Sequence, residues 1–216
     1  MKTSQIEDVD REFFRDPSAW RHHGLGMLQR EISGNYRVHV WHPGLRWLNG
    51  PRAVHDHRFD LRSILLMGEI FDERWDVVVP PDHESSQANV DIWQIVHAKA
   101  QTGNDAHKIG PAMAQRNSVQ SYLRGDQYVV PRRHFHTTKA DDLAVTVVER
   151  FNFDHDPARV LSEPGAPASS AISGAHGRGE FNKLNKPTIE RVLAMVPERV
   201  VAAIPELQQH INSRRT

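Results

Sequence analysis

From Tyr36 to Phe151 the chain is divided into short stretches rich in apolar residues, several of them bounded by Gly, Pro, Asn or Asp. Stretches this short, punctuated by turn formers, restrict the chain to short antiparallel strands in a barrel or sandwich. The segment YRVHVW sets the period, with Tyr36, Val38 and Val40 on one face of a strand. Further strands are expected at 53–59, 62–71, 74–79, 90–98, 118–123, 127–131, 134–138 and 143–151. The polar segments 80–89 and 99–117 read as loops.

Both flanks change period. Residues 4–33 read as helical through Ile6, Val9, Phe13, Phe14, Trp20, Leu25 and Leu28, with a break near Asp16-Pro17. Residues 162–180 are rich in Ser, Gly, Ala and Pro and read either as a linker or as a mobile cover over a site. Helical spacing returns at 187–213, where Pro197 and Pro205 split it into short helices. The expected organisation is an N-terminal helical extension (1–35), a β-barrel (36–155), and a flexible segment with C-terminal helices packing on the barrel (156–216).

Composition narrows the function classes. The 216 residues suffice for one generous domain with a sizeable core. Lys and Arg number 27 against 27 Asp and Glu, so no net charge draws the chain to nucleic acid or anionic membrane. No basic recognition helix is visible at either end, which counts against DNA as a partner. No apolar run has membrane-spanning length and the N-terminus is polar, so neither a membrane span nor a signal peptide is expected. Cysteine is absent, which excludes disulfides, zinc–thiolate sites and a cysteine nucleophile and makes a cytoplasmic protein the default expectation. The 14 histidines are roughly three times ordinary usage.

Four of these histidines form two matched pairs. Residues i and i+2 of a strand share a face, so His55 and His57 project their imidazoles side by side, about 7 Å apart along the backbone. That is the arrangement of two cis ligands on one metal. A third ligand must come from elsewhere, and the segment GDQYVVPRRHFHTT offers His134 and His136, again one residue apart.

With both pairs in view, the chain resembles the cupins, small β-barrels of the double-stranded β-helix type that bind one metal inside. Their first motif runs G-x5-H-x-H-x3–4-E-x6-G, and this chain has Gly50, then His55 and His57, with Gly68 at the closing position. Their second runs G-x5-P-x-G-x2-H-x3-N, and here Gly125, Pro131 and His136 match, with Arg133 in the glycine place and Ala140 in the asparagine place. The match covers about residues 36–151, with 80–117 as an insertion between the motifs. The glutamate ligand is missing, since Leu61 or Arg62 falls in its slot. The resemblance therefore implies a mainly β cupin barrel with helical extensions and a three-histidine metal set of His55, His57 and His136, with His134 as the alternative to His136.

Cupins with three histidines and no glutamate resemble thiol dioxygenases and related non-haem iron oxygenases. The resemblance implies Fe(II) as cofactor, O2 as co-substrate and a small, carboxylate-bearing metabolite as substrate. Imidazole also suits Zn, Ni and Cu, and a Mn, Zn or Ni enzyme acting as a lyase, isomerase or hydrolase is the rival reading. A barrel that binds a ligand without chemistry is the second. No histidine is followed two residues on by Asp or Glu, which disfavours 2-oxoglutarate as co-substrate.

Arg62, Arg37 and Arg133 are the candidates for clamping a substrate carboxylate, with Arg62 first because it occupies the vacated glutamate slot. Alternation sets Arg58 and Arg62 opposite His55 and His57 unless the strand is bulged, and pairing with Asp56, Asp60 and Glu69 is the simpler role for such arginines. Tyr128 is a candidate proton donor or radical-stabilising phenol, with core packing as its alternative, and Glu149 a candidate acceptor for a ligand imidazole. Phe59, Trp41, Trp47 and Phe135 read as barrel filling. The apolar positions of the terminal helices fit a homodimer interface and intramolecular packing equally well.

Overall fold

The computed structural model describes residues 14–33, 35–46, 48, 50–81, 87–97, 104–168 and 186–204. Their strands are β1 (Arg21–His23), β2 (Leu25–Ser33), β3 (Tyr36–Arg46), β4 (Asp60–Met67), β5 (Glu69–Val78), β6 (Val90–His97), β7 (Asn104–Leu123), β8 (Gln127–Val130), β9 (Phe135–Lys139), β10 (Ala144–Phe151) and β11 (Ala158–Ser162). A helix, α1, spans Lys186–Ala194 and a second helical turn covers 198–204. The chain is mainly β, as expected, in two antiparallel sheets: β1-β2-β3-β10-β4-β8, and β11-β6-β7-β5-β9.

The six-stranded sheet is buried on both faces. One face carries Leu28, Val38, Val40, Val145 and Val147, packed against Phe14, Trp20 and the helical residues Ile189, Val192, Leu193, Val200 and Ile204. The other carries Met27, Trp41, Leu61, Leu65, Tyr128, Val130 and Val148, and meets Ile70 and Tyr122 of the five-stranded sheet. The interior between the sheets is therefore apolar along much of its length.

Burial on two faces explains the largest departure from the sequence reading. The helix expected over 4–33 is strand from Arg21 onward. Leu25 and Met27 belong to the inner core while Leu28 belongs to the outer one, so both faces read as apolar and mimic a helical spacing. The break at Asp16-Pro17 is present as a short helical turn, with the Asp16 carboxylate accepting from Ser18 N at 3.0 Å. Residues 1–13, and the expected Pro205, Leu207 and Ile211, lie outside the described residues, as does most of 162–180. The segment 53–59, expected as strand, is a short helical turn (Gly50–Ala53) followed by isolated bridges at His55. Residues 104–117, expected as loop, are strand in β7, which pairs along β6 and then along β5 and needs few apolar residues because much of it is exposed. Gly68 divides the expected strand 62–71 in two. Its φ of 81° makes the β4–β5 turn, and a Cβ there would stand 2.4 Å from the Leu143 carbonyl oxygen. No helix among the described residues is long and apolar enough to cross a membrane.

Candidate metal centre

Residues 54–57 lie between the two edges of the five-stranded sheet. His55 N donates to His136 O at 3.0 Å and His136 N to His55 O at 2.9 Å, which joins the segment to β9. Leu161 N donates to Val54 O and Asp56 N to Arg159 O, which joins it to β11. Alternation then separates the side chains. Val54 enters an apolar core with Phe135, Ile92 and Leu161, and Asp56 binds the Arg159 backbone N and Nε, each at 2.6 Å. His55 and His57 turn the other way, with ring centroids 4.8 Å apart.

His136 joins them from β9. Its Nε2 is 3.0 Å from His57 Nε2, and one ring nitrogen from each of His55, His57 and His136 lies within 4.8 Å of the others. Nitrogens about 2.1 Å from a single cation and at right angles to one another are about 3.0 Å apart, so the His57–His136 spacing fits two cis ligands. The back of each flanking ring is held. His55 Nδ1 is 3.1 Å from Ala53 O, and His136 Nδ1 is 2.7 Å from Asp72 Oδ1. Each acceptor selects the Nδ1–H tautomer and leaves Nε2 with its lone pair. His57 stacks on Phe59 at 5.0 Å, and burial, then the neighbouring His55 and His136, push its pKa well below the ordinary imidazole value. Three converging imidazoles, two of them held from behind, fit a divalent transition ion and favour none in particular.

The other expected residues are placed differently. His134 is exposed, its Nδ1 3.1 Å from Arg132 O, and does not join the group. Arg62, expected to meet substrate, sits instead on the outer face of β4, opposite the inward Leu61 and Ser63. Its Nη1 is 2.9 Å from Glu149 Oε2 and its guanidinium lies over Phe151. Glu149, expected as an imidazole acceptor, takes this ion pair and the Tyr36 hydroxyl at 3.0 Å. Arg133 does stand in the glycine place of the motif with the backbone a glycine would have, φ 66°. Its guanidinium is committed to Asp154 at 2.9–3.0 Å and to the carbonyls of Asp156 and Pro157. Tyr128 is buried, stacked on Tyr122 at 4.2 Å with its hydroxyl near Ser63 and Thr138, and burial pushes its pKa up. Arg37 points inward, pairs with Glu31 at 3.2 Å, and has its Nε buried without a hydrogen-bond partner. Burial, followed by the charge of Arg150, lowers its pKa to about 10.

Three residues were missed by sequence reasoning. Asp72 alternates with the inward Ile70 on β5, and a charged residue at a buried parity was the signal. Arg150, over the Phe59 ring at 5.7 Å and 3.4 Å from Glu31, follows the inward parity of Val148. His39, between Arg37 and Trp41 on β3, has its Nε2 buried without a hydrogen-bond partner. Two surface cavities of about 210 Å³ lie elsewhere and contain no residue of the histidine group, so donors and not volume mark the site.

No family model and no curated protein matches the chain. Among solved structures, a hydroquinone 1,2-dioxygenase in complex with Cd2+ and 4-hydroxybenzonitrile is 15% identical at a TM-score of 0.29, over 56% of this chain and 61% of that one. An oxalate oxidase is 15% identical at a TM-score of 0.29, over 79% and 63%. Drosophila melanogaster CENP-C bound to CAL1 is 9% identical at a TM-score of 0.32, over 68% and 97%. The chain thus covers less than two thirds of the length of the dioxygenase and oxidase chains.

Proposed function

We propose that this chain is a metal-dependent oxygenase in which His55, His57 and His136 hold one Fe(II), with O2 as co-substrate and a small carboxylate-bearing metabolite as substrate. The observation that carries the reading is the convergence of three imidazoles whose ligand nitrogens lie within 4.8 Å of one another. When bound, such an ion supplies a Lewis-acidic open face and, as iron, redox chemistry with O2.

The chain's own residues bind, orient and exclude water. Ala53 O and Asp72 fix the His55 and His136 rings. Phe59 covers the flank of His57 and Phe153 extends this apolar wall, with ring centroids 5.5 Å apart. Arg37 is the proposed carboxylate contact, because it is inward, its Nε has no partner, and its charge reaches His57. Arg150, which shares Glu31 with it, adds positive charge to the same side. Arg133 serves the site by holding the 154–157 loop beside Phe153, and Tyr128 is linked to it through Thr138.

The test is metal analysis of anaerobically purified protein and of His57→Ala, with O2 uptake measured against a panel of small carboxylates. Near-stoichiometric iron that the substitution abolishes, with carboxylate-dependent O2 uptake, supports the reading. Zinc or nickel at the same residues without O2 uptake replaces it with Lewis-acid chemistry. No metal after reconstitution with Fe(II) overturns it in favour of a ligand-binding barrel.

A further inference from the structure

Asp72 has no exposed surface, and its carboxylate faces His136, Thr138 and Arg74. Oδ1 accepts from His136 Nδ1 at 2.7 Å and from Thr138 Oγ1 at 3.2 Å, while Oδ2 is 2.5 Å from Arg74 Nε. The β5–β9 register dictates this arrangement, with Asp72 opposite Thr138 and Arg74 opposite His136. Burial of an ionised carboxylate is costly unless it is paired, and a packed apolar residue would serve the strand without that cost. Among the described residues, no carboxylate joins the three ligand nitrogens themselves. Asp72 stands behind His136 instead, bonded to the ring nitrogen that faces away from the group.

We infer that Asp72 is a positioning residue of the metal centre, which holds His136 in the Nδ1–H tautomer and places a negative charge behind an otherwise neutral ligand set. This rests on the three-histidine reading. The arrangement has a chemical consequence: a carboxylate ligand would occupy a coordination position, whereas Asp72 contributes its charge through an imidazole and leaves that position open. Thr138 donates to the same oxygen as His136, and the Arg74 guanidinium beside Oδ2 offsets the buried charge.

The experiment is Co(II) binding to the chelator-stripped full chain, measured by competition with a chromophoric chelator, for wild type, Asp72→Asn, Asp72→Ala and His136→Ala. Folding is followed in parallel by circular dichroism. The wild type should bind one Co(II) and His136→Ala should lose it. Asp72→Asn should lose about 10- to 100-fold in affinity. It should also bind no better than Asp72→Ala although it keeps the shape of the side chain, because its amide can donate to Nδ1 and hold the wrong tautomer. A purely structural role gives the reverse order, with Asp72→Ala worse and affinity following thermal stability. Asp72→Asn within about threefold of wild type, with His136→Ala inactive in binding, overturns the role of Asp72 alone. A wild type that takes up no Co(II) overturns the three-histidine reading as well. A measurement without variants guards against misfolding: 15N imidazole spectra of the metal-free wild type should show His136 as Nδ1–H, and an Nε2–H tautomer sinks the inference.

Discussion

His55 and His57 lie on a segment bonded along one edge to β9 and along the other to β11, whereas His134 and His136 straddle the first residue of β9. The first pair keeps strand alternation and delivers two imidazoles to one point. In the second, His134 follows Arg133, whose φ of 66° turns the chain, and its ring stays exposed while His136 is buried. Two motifs with the same spelling therefore contribute two donors and one. Spacing alone does not make a ligand pair; the first pair lies on a segment bonded along both edges, whereas the second is preceded by a turn at Arg133.

Loss of one histidine from the second pair should matter and loss of the other should not. His136→Ala should weaken Co(II) binding by at least about 100-fold, and His134→Ala should change it by no more than about twofold, read by chelator competition. Comparable losses would place His134 in the site and remove the asymmetry.

Next in size is an effect of buried histidines outside both pairs. Burial lowers the pKa of His22 to about 4 and of His39 to about 3. The native state keeps both neutral, while the unfolded chain takes up protons below about 6.5, so stability is lost as pH falls from that value toward 4. Each should contribute about 2 kcal/mol of loss by pH 5, seen as a lower urea midpoint, and His39→Gln should flatten the slope. An unchanged slope would show that His39 is protonated in the native state.

The smallest effect tests the turn itself. Arg133→Ala and Arg133→Gly both remove the Asp154 ion pair, but only glycine relaxes the left-handed backbone. The glycine variant should be the more stable by about 1 kcal/mol in urea unfolding. Equal stabilities would mean that φ at this position carries no strain.

Much of the β architecture was legible because strands of the inner and outer faces alternate as their burial requires. Ser63 and Leu65 on β4, and Val145 and Val147 on β10, are examples. His55 and His57 were legible because residues i and i+2 of extended chain share a face, and His136 through its place in the second motif. What was hidden was hidden by physics that one strand does not carry. Leu25 and Leu28 looked helical because β2 has a core on each side. β7 looked like loop because much of it is exposed and it carries few apolar residues. Asp72 went unread, since its partners His136 and Thr138 are brought to it only by the β5–β9 register. Arg62 drew interest for its place in a motif, yet parity had already turned it outward to Glu149.

The reciprocal amide bonds between His55 and His136 join residues far apart in the chain through main-chain atoms alone. Their side chains are therefore brought face to face by the same ladder that closes the sheet, before any ion contributes. The ring positions are thus a property of the closed main chain, so whatever the three imidazoles take up would meet a site already assembled by the backbone.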